Sequence, residues 1–348
     1  MADQEPLKGF SSLTTSTHTT PSGSLLSFSH TPASQHKPGA PILLLLHGWP
    51  QSRYMWRYAI PPLAEKGYTL FVPDLPGYGD STLATKAGAS GSKHDRATVG
   101  ESLLSAVRSV YAPDNTPSSA TAAEETELNI ILVGHDRGAR VSQRLSTTPP
   151  PPDLNTNTKI RILGTMLIDI VPYTTQWANA AANPRAATSY FHWSFLPNAA
   201  LSSAMIKAYG GARFCRAMMA RSTGTNAPGV ESLHADGAVD RYAELYEREA
   251  VIEGASADYA AGAAEDWEAE RGDREAGRGM GGLVYVVYSE GFLGRVHGAS
   301  EEIWKGFVGD GGRLETHGVG EGFGHYLPEE APEVVNGHIG RFLGELGV

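Results

Sequence analysis

Residues 132–140 read Leu132-Val133-Gly134-His135-Asp136-Arg137-Gly138-Ala139-Arg140. Immediately before the glycine, Asn129-Ile130-Ile131-Leu132-Val133 is apolar and β-branched, which predicts a buried strand. Immediately after the second glycine, Ala139 to Leu145 is compatible with a helix. Strand, sharp turn and helix together form the context of a nucleophile elbow, which lifts its central side chain out at the carboxyl end of a sheet. The central side chain is Asp136, a carboxylate where a hydroxyl would be the commoner nucleophile. The same aspartate also fits an ordinary helix cap.

Working outward, Pro41-Ile42-Leu43-Leu44-Leu45-Leu46 predicts a fully buried parallel strand that stops at His47-Gly48-Trp49-Pro50. A helix over 53–65 and a strand over 68–72 follow, ending in the turn-rich Asp74-Leu75-Pro76-Gly77-Tyr78-Gly79-Asp80-Ser81. The pattern is helical over 98–111. Two insertions, 112–127 and 147–157, are rich in Pro, Ser, Thr or acidic residues, and the second carries four consecutive prolines. Arg161–Ile168 is the next strand, ending at Asp169. From 173 to 278 only helix-favouring stretches occur. Alternation resumes with a strand at Leu283–Tyr288, a helix at Ser300–Phe307, a strand at Arg313–Thr316 and a last helix at Ala331–Leu346. The expected class is α/β: a doubly wound, mostly parallel sheet with an inserted helical cap. The core would comprise 1–172 and 279–348, with 1–22 a flexible start, and the cap 173–278.

With 41% hydrophobic and 19% charged residues, the 348-residue chain has an ordinary globular composition with a sizeable core. Its net charge of −10 argues against nucleic acid or an anionic membrane as partner. An anionic substrate would therefore need a local arginine cluster. The single cysteine, Cys215, allows no intrachain disulfide, and no run approaches the roughly 20 apolar residues of a membrane span. Residues 1–10 lack the features of a signal peptide, so the expectation is a soluble cytoplasmic protein. No metal site or phosphate loop is evident, and no cofactor is expected.

The order of these segments resembles the α/β-hydrolase fold over residues 24–348. The resemblance is carried by His47-Gly48-Trp49-Pro50, the Asp74–Ser81 segment, the elbow, and Gly324-His325-Tyr326-Leu327-Pro328-Glu329-Glu330-Ala331-Pro332. An aspartate at the elbow is similar to the branch holding haloalkane dehalogenases, haloacetate dehalogenases and epoxide hydrolases. Finer features resemble the haloacetate (fluoroacetate) dehalogenases: His135-Asp136-Arg137-Gly138-Ala139-Arg140, Asp169-Ile170-Val171-Pro172, His192-Trp193-Ser194-Phe195-Leu196, and Asp258-Tyr259-Ala260-Ala261-Gly262. Epoxide hydrolases usually show Trp where this chain has Arg137. The chain departs from the pattern at its Ser/Thr-rich start, its two insertions, and Ala139 where Gly is common.

The resemblance implies hydrolytic dehalogenation of a small 2-haloacid to the 2-hydroxy acid. Asp136 would attack the halogen-bearing carbon to form an ester, and His325 would activate the water that hydrolyses it. His325 needs an acidic partner, for which Asp169 and Glu290 are candidates, with the family match favouring Asp169; His317 is a rival base. Backbone N–H groups of Trp49 and Arg137 would form the oxyanion site by resemblance. Arg137 and Arg140 lie three apart, so their guanidinium forks can converge on a substrate carboxylate. His192, Trp193 and Tyr259 offer an imidazole N–H, an indole N–H and a phenol O–H for a departing halide. The expected partners are a small anionic molecule and water, and a homodimer is the expected assembly. The rival enzyme is an epoxide hydrolase, whose cap acids could be Tyr190 and Tyr259. A non-catalytic binding protein on the same fold is the third reading.

Overall fold

The computed structural model describes residues 7–83, 94–112, 126–149, 158–298, 300–320 and 322–348. The two expected insertions therefore lie largely outside the described residues. Eight strands form one sheet: β1 Thr14–Thr19, β2 Leu25–His30, β3 Ile42–Leu46, β4 Thr69–Pro73, β5 Thr126–His135, β6 Thr158–Ile168, β7 Leu283–Ser289 and β8 Arg313–Val319. Their order is β1-β2-β4-β3-β5-β6-β7-β8. From β4 across to β8 every pairing is parallel, whereas β2 runs antiparallel to both of its neighbours.

Every residue of β3 and β4 is buried. That explains why these central strands are continuously apolar rather than alternating: parallel strands covered on both faces expose no side to water. The helix Arg137–Thr147 follows β5 directly and packs on β5, β6 and the helix Arg96–Tyr111. Between β6 and β7 the chain contains helices and no strand from Tyr173 to Glu275. Among the described residues no helix is long and apolar enough to cross a membrane.

The start of the chain differs from the flexible segment expected over 1–22. Of its described part, Thr14–Thr19 is an edge strand paired with β2, from Thr14 opposite His30 to Thr19 opposite Leu25. Thr15 and Ser29 share a hydrogen bond at 3.1 Å, and Ser16 bonds His30 at 3.0 Å. Phe10 is buried and lies 6.3 Å from the Tyr54 ring. A strand of β-branched polar residues on an edge has no apolar signature, so the hydrophobic pattern does not reveal it. Phe10→Ala should lower unfolding stability by about 3 kcal/mol in a denaturant titration. An unchanged midpoint would mean that the start is loose after all.

Candidate active site

Strand register builds the centre of the site. β5 and β6 pair in parallel so that His135 lies opposite Ile168, and the next residue of each strand is an aspartate. Asp136 and Asp169 therefore leave the sheet side by side at its carboxyl end. Both adopt positive φ, 45° and 54°, a conformation that non-glycine residues take at a cost of roughly 1–3 kcal/mol each. The turn at Asp136 is tight enough that a Cβ on Gly138 would sit 2.4 Å from the Leu46 carbonyl oxygen. Only glycine lets the elbow helix start so close to β3.

His325 comes in from the loop after β8. Its Nδ1 lies 2.6 Å from Asp169 Oδ2, and its Nε2 faces Asp136 Oδ2 at 3.6 Å. The other Asp169 oxygen accepts the Ser289 N–H at 2.7 Å. Burial opposes a charge on His325, yet the Asp136 and Asp169 carboxylates outweigh it and push the imidazole pKa up to about 10. Burial likewise works against the Asp136 carboxylate, but His325, Arg137 and His135 hold its pKa well below the usual range. For Asp169, burial dominates and raises the pKa despite the His325 bond. The resting arrangement is an imidazolium between two carboxylates. Glu290 does not join it, since its carboxylate packs over Gly318 on β8. His317 stacks on Tyr285, 4.4 Å between centroids, away from Asp136.

The turn after β3 reaches over the elbow. The Trp49 N–H donates to Asp136 Oδ1 at 2.8 Å. The Arg137 N–H makes no such bond in this geometry, so one of the two expected backbone donors is engaged. His47, fully buried, accepts the Leu75 N–H on Nε2 at 2.9 Å and donates from Nδ1 to the Gly48 carbonyl, which fixes its neutral tautomer. His135 must carry its proton on Nε2, because that nitrogen bonds the His325 carbonyl at 2.8 Å. That bond ties the elbow to the histidine loop.

A cavity of about 430 Å³ opens above Asp136. Its wall brings together Trp49, Asp136, Asp169 and His325 from the sheet side with Tyr190, His192, Trp193 and Tyr259 from the helical segment. The three expected halide donors are thus all present: the His192 ring stacks on Trp49 at 5.1 Å, and Tyr259 meets both His192 and Trp193 edge-on. Burial lowers the His192 pKa to about 3, leaving a neutral ring with one N–H.

The two arginines divide. Arg137 donates from Nε to Asp258 Oδ2 at 2.7 Å and from Nη2 to Asp258 Oδ1 at 3.0 Å, under the Tyr259 ring. Asp258 is also ion-paired with Arg96 and accepts the Tyr78 hydroxyl at 2.6 Å. Among the described residues Arg140 has no carboxylate partner. Its guanidinium lies between the Tyr173 ring at 4.2 Å and the Trp193 ring at 4.6 Å, and its Nε and Nη1 are buried without a hydrogen bond. Arg140 lines the cavity; Arg137 stands behind it.

Residues 41–115 match the family model described as the α/β hydrolase fold. The fluoroacetate dehalogenase of a Burkholderia species is 28% identical over 248 residues, 67% of this chain and 66% of that relative's length. Epoxide hydrolase A of Mycobacterium tuberculosis is 50% identical over 46 residues, 13% of this chain and 14% of that protein. The chain thus spans less than two thirds of either curated relative. A solved Pseudomonas aeruginosa structure, provisionally described as an epoxide hydrolase, superposes with a TM-score of 0.75 at 27% identity, covering 99% of this chain and 98% of that one. The chain adopts the α/β-hydrolase fold.

The sequence reading gives no role to Asp258 and names Tyr190 only as a candidate cap acid. Asp258 is visible there only as the neighbour of Tyr259, because its bond to Arg137 crosses 121 residues. The Tyr190 hydroxyl lies in the cavity wall, buried and without a partner. The His325 environment also sets a pH dependence. A folded-state pKa of about 10, above the ordinary imidazole value of 6.5, means that charged His325 stabilises the fold fully below pH 6.5. That contribution is lost as pH rises through about 10. The melting-temperature advantage of the native protein over His325→Gln should therefore shrink between these limits. An advantage that grows with pH would contradict the assignment.

Proposed function

We propose that this hydrolase cleaves the carbon–halogen bond of a small 2-haloacid of the fluoroacetate type through an ester on Asp136. The observation that supports this reading over others is Arg140: a buried guanidinium with unpaired N–H groups, beside a carboxylate, in a cavity lined by hydrogen-bond donors. An unsatisfied buried cation is costly, and a substrate carboxylate would meet its bidentate geometry.

Asp136 Oδ1 is held by the Trp49 N–H, so Oδ2, which only faces His325 Nε2 at 3.6 Å, acts as the nucleophile. Its electron pair forms the C–O bond as the carbon–halogen pair leaves with halide. The N–H and O–H groups of His192, Trp193 and Tyr259 would receive that anion. Esterification removes the Asp136 charge, one of the two carboxylate influences that keep His325 protonated. The imidazole then loses its proton more readily and can take one from water. Hydroxide adds to the ester carbonyl carbon and charge develops on Oδ1 against the Trp49 N–H; collapse breaks the ester C–O bond, the departing alkoxide takes the proton of His325, which regains one from the new Asp136 carboxyl, and the 2-hydroxy acid leaves with Asp136 restored. Asp169 keeps His325 oriented throughout.

Epoxide hydrolysis is the second reading, favoured by Tyr190 and Tyr259 standing in the same cavity wall, where either phenol could protonate an epoxide oxygen. Incubation with fluoroacetate, chloroacetate and styrene oxide separates the two. The proposed activity predicts halide from the acids and no diol. Arg140→Ala should raise KM for the haloacid by roughly 10- to 100-fold, the loss of a charge-assisted pair. Diol without halide would overturn the proposal in favour of epoxide hydrolysis, and neither product would favour a binding role.

A further inference from the structure

The loop that carries His325 is fastened to the helical cap segment, and one buried side chain bonds to both. Glu330 is buried. Its Oε2 accepts the Gly324 N–H at 2.8 Å and the Gly224 N–H at 2.9 Å, while Oε1 accepts the Tyr326 N–H at 3.1 Å. Gly324 and Tyr326 flank His325. Gly224 lies 106 residues away from Glu330, just after the helix Gly211–Ser222. Around this carboxylate the two segments pair along their backbones. The His325 N–H donates to the Ser222 carbonyl at 2.8 Å, and the Thr225 and Asn226 N–H groups donate to the Gly322 carbonyl at 2.7 and 2.8 Å. The approach leaves no space for side chains, since a Cβ on Gly324 would lie 2.3 Å from the Gly224 nitrogen.

We propose that Glu330 is a positioning residue that sets the reach of His325 toward Asp136 by clamping the histidine loop to the cap segment Ser222–Asn226. The chemistry favours a carboxylate at this position. Three N–H donors converge on two oxygens, and a side-chain amide would turn a donor toward at least one of them. The sheet holds the backbone of this loop through two side chains, His135 at the end of β5 on the His325 carbonyl and Ser289 of β7 on the Phe323 carbonyl. The position of His325 then depends on the Ser222 carbonyl, the His135 bond and the flanking N–H groups that Glu330 gathers. A shift of the loop would alter the 3.6 Å separation of Nε2 from Asp136 while leaving the Asp136–Trp49 contact untouched.

The test rests on the ester route proposed above, in which His325 acts only in the second step. In Glu330→Gln, ester formation followed by the halide burst should stay within about twofold of the native rate, while ester hydrolysis slows roughly tenfold or more. Glu330→Asp, which keeps the charge, should recover part of the loss. Equal slowing of both steps, or unchanged hydrolysis, would overturn the clamp. A readout on the native protein is independent of whether the variants fold. The amide protons of Gly224, Gly324 and Tyr326 should exchange slowly by residue-resolved hydrogen exchange, and open-loop exchange at any of them would overturn the proposal. The absence of any ester in His325→Ala would overturn the ester route, and with it the kinetic role given to Glu330.

Discussion

An imidazolium held between two carboxylates is the interaction around which this molecule is arranged. His325 has Asp169 at 2.6 Å on one nitrogen and Asp136 at 3.6 Å on the other. Burial works against every charge in the trio, so the arrangement holds only because each charge compensates its neighbours. The sheet supplies the geometry. Parallel register sets the two aspartates on adjacent strand ends, and both accept left-handed backbone to project into the cavity. Loosening β5 against β6 would separate the carboxylates, and the histidine would lose one of its two partners.

A second tier of charge surrounds this centre. The chain carries a net charge of −10, yet its cavity contains a buried arginine with no acidic partner among the described residues. Arg137 explains how that is maintained. It takes the Asp258 carboxylate, which Arg96 and Tyr78 also share, so that acid is fully engaged away from Arg140. Aromatic faces of Tyr173 and Trp193 hold the Arg140 guanidinium in place without neutralising it. The result is a buried guanidinium facing the cavity of an otherwise acidic protein.

Much of this is legible in the residues. The elbow is written in a β-branched run ending in Gly-His-Asp-Arg-Gly, and His325 is marked by its Gly-His-x-x-Pro-Glu setting. Asp169 against Glu290 is a choice that needs the strand register, which motif order alone does not supply. The same holds for the arginines: three-residue spacing puts both on one side of a helix, but only the arrival of Asp258 from across the cavity divides their roles. The edge strand Thr14–Thr19 is polar on both sides and leaves no periodic signal. Glu330 sits in plain view beside Pro328 and Glu329, yet its partner Gly224 lies in a loop that nothing in the sequence links to it.

The central claim is that Asp136 itself forms the covalent bond. Single-turnover reaction with fluoroacetate in ¹⁸O-labelled water, followed by mass spectrometry of the peptide containing Asp136, tests it most directly. Attack of water on the ester carbonyl carbon predicts that the label enters the Asp136 carboxylate and that the first-turnover product carries unlabelled oxygen from the enzyme. Label appearing in the first product, with none in Asp136 over many turnovers, would show that water attacks the substrate directly and would contradict the ester route.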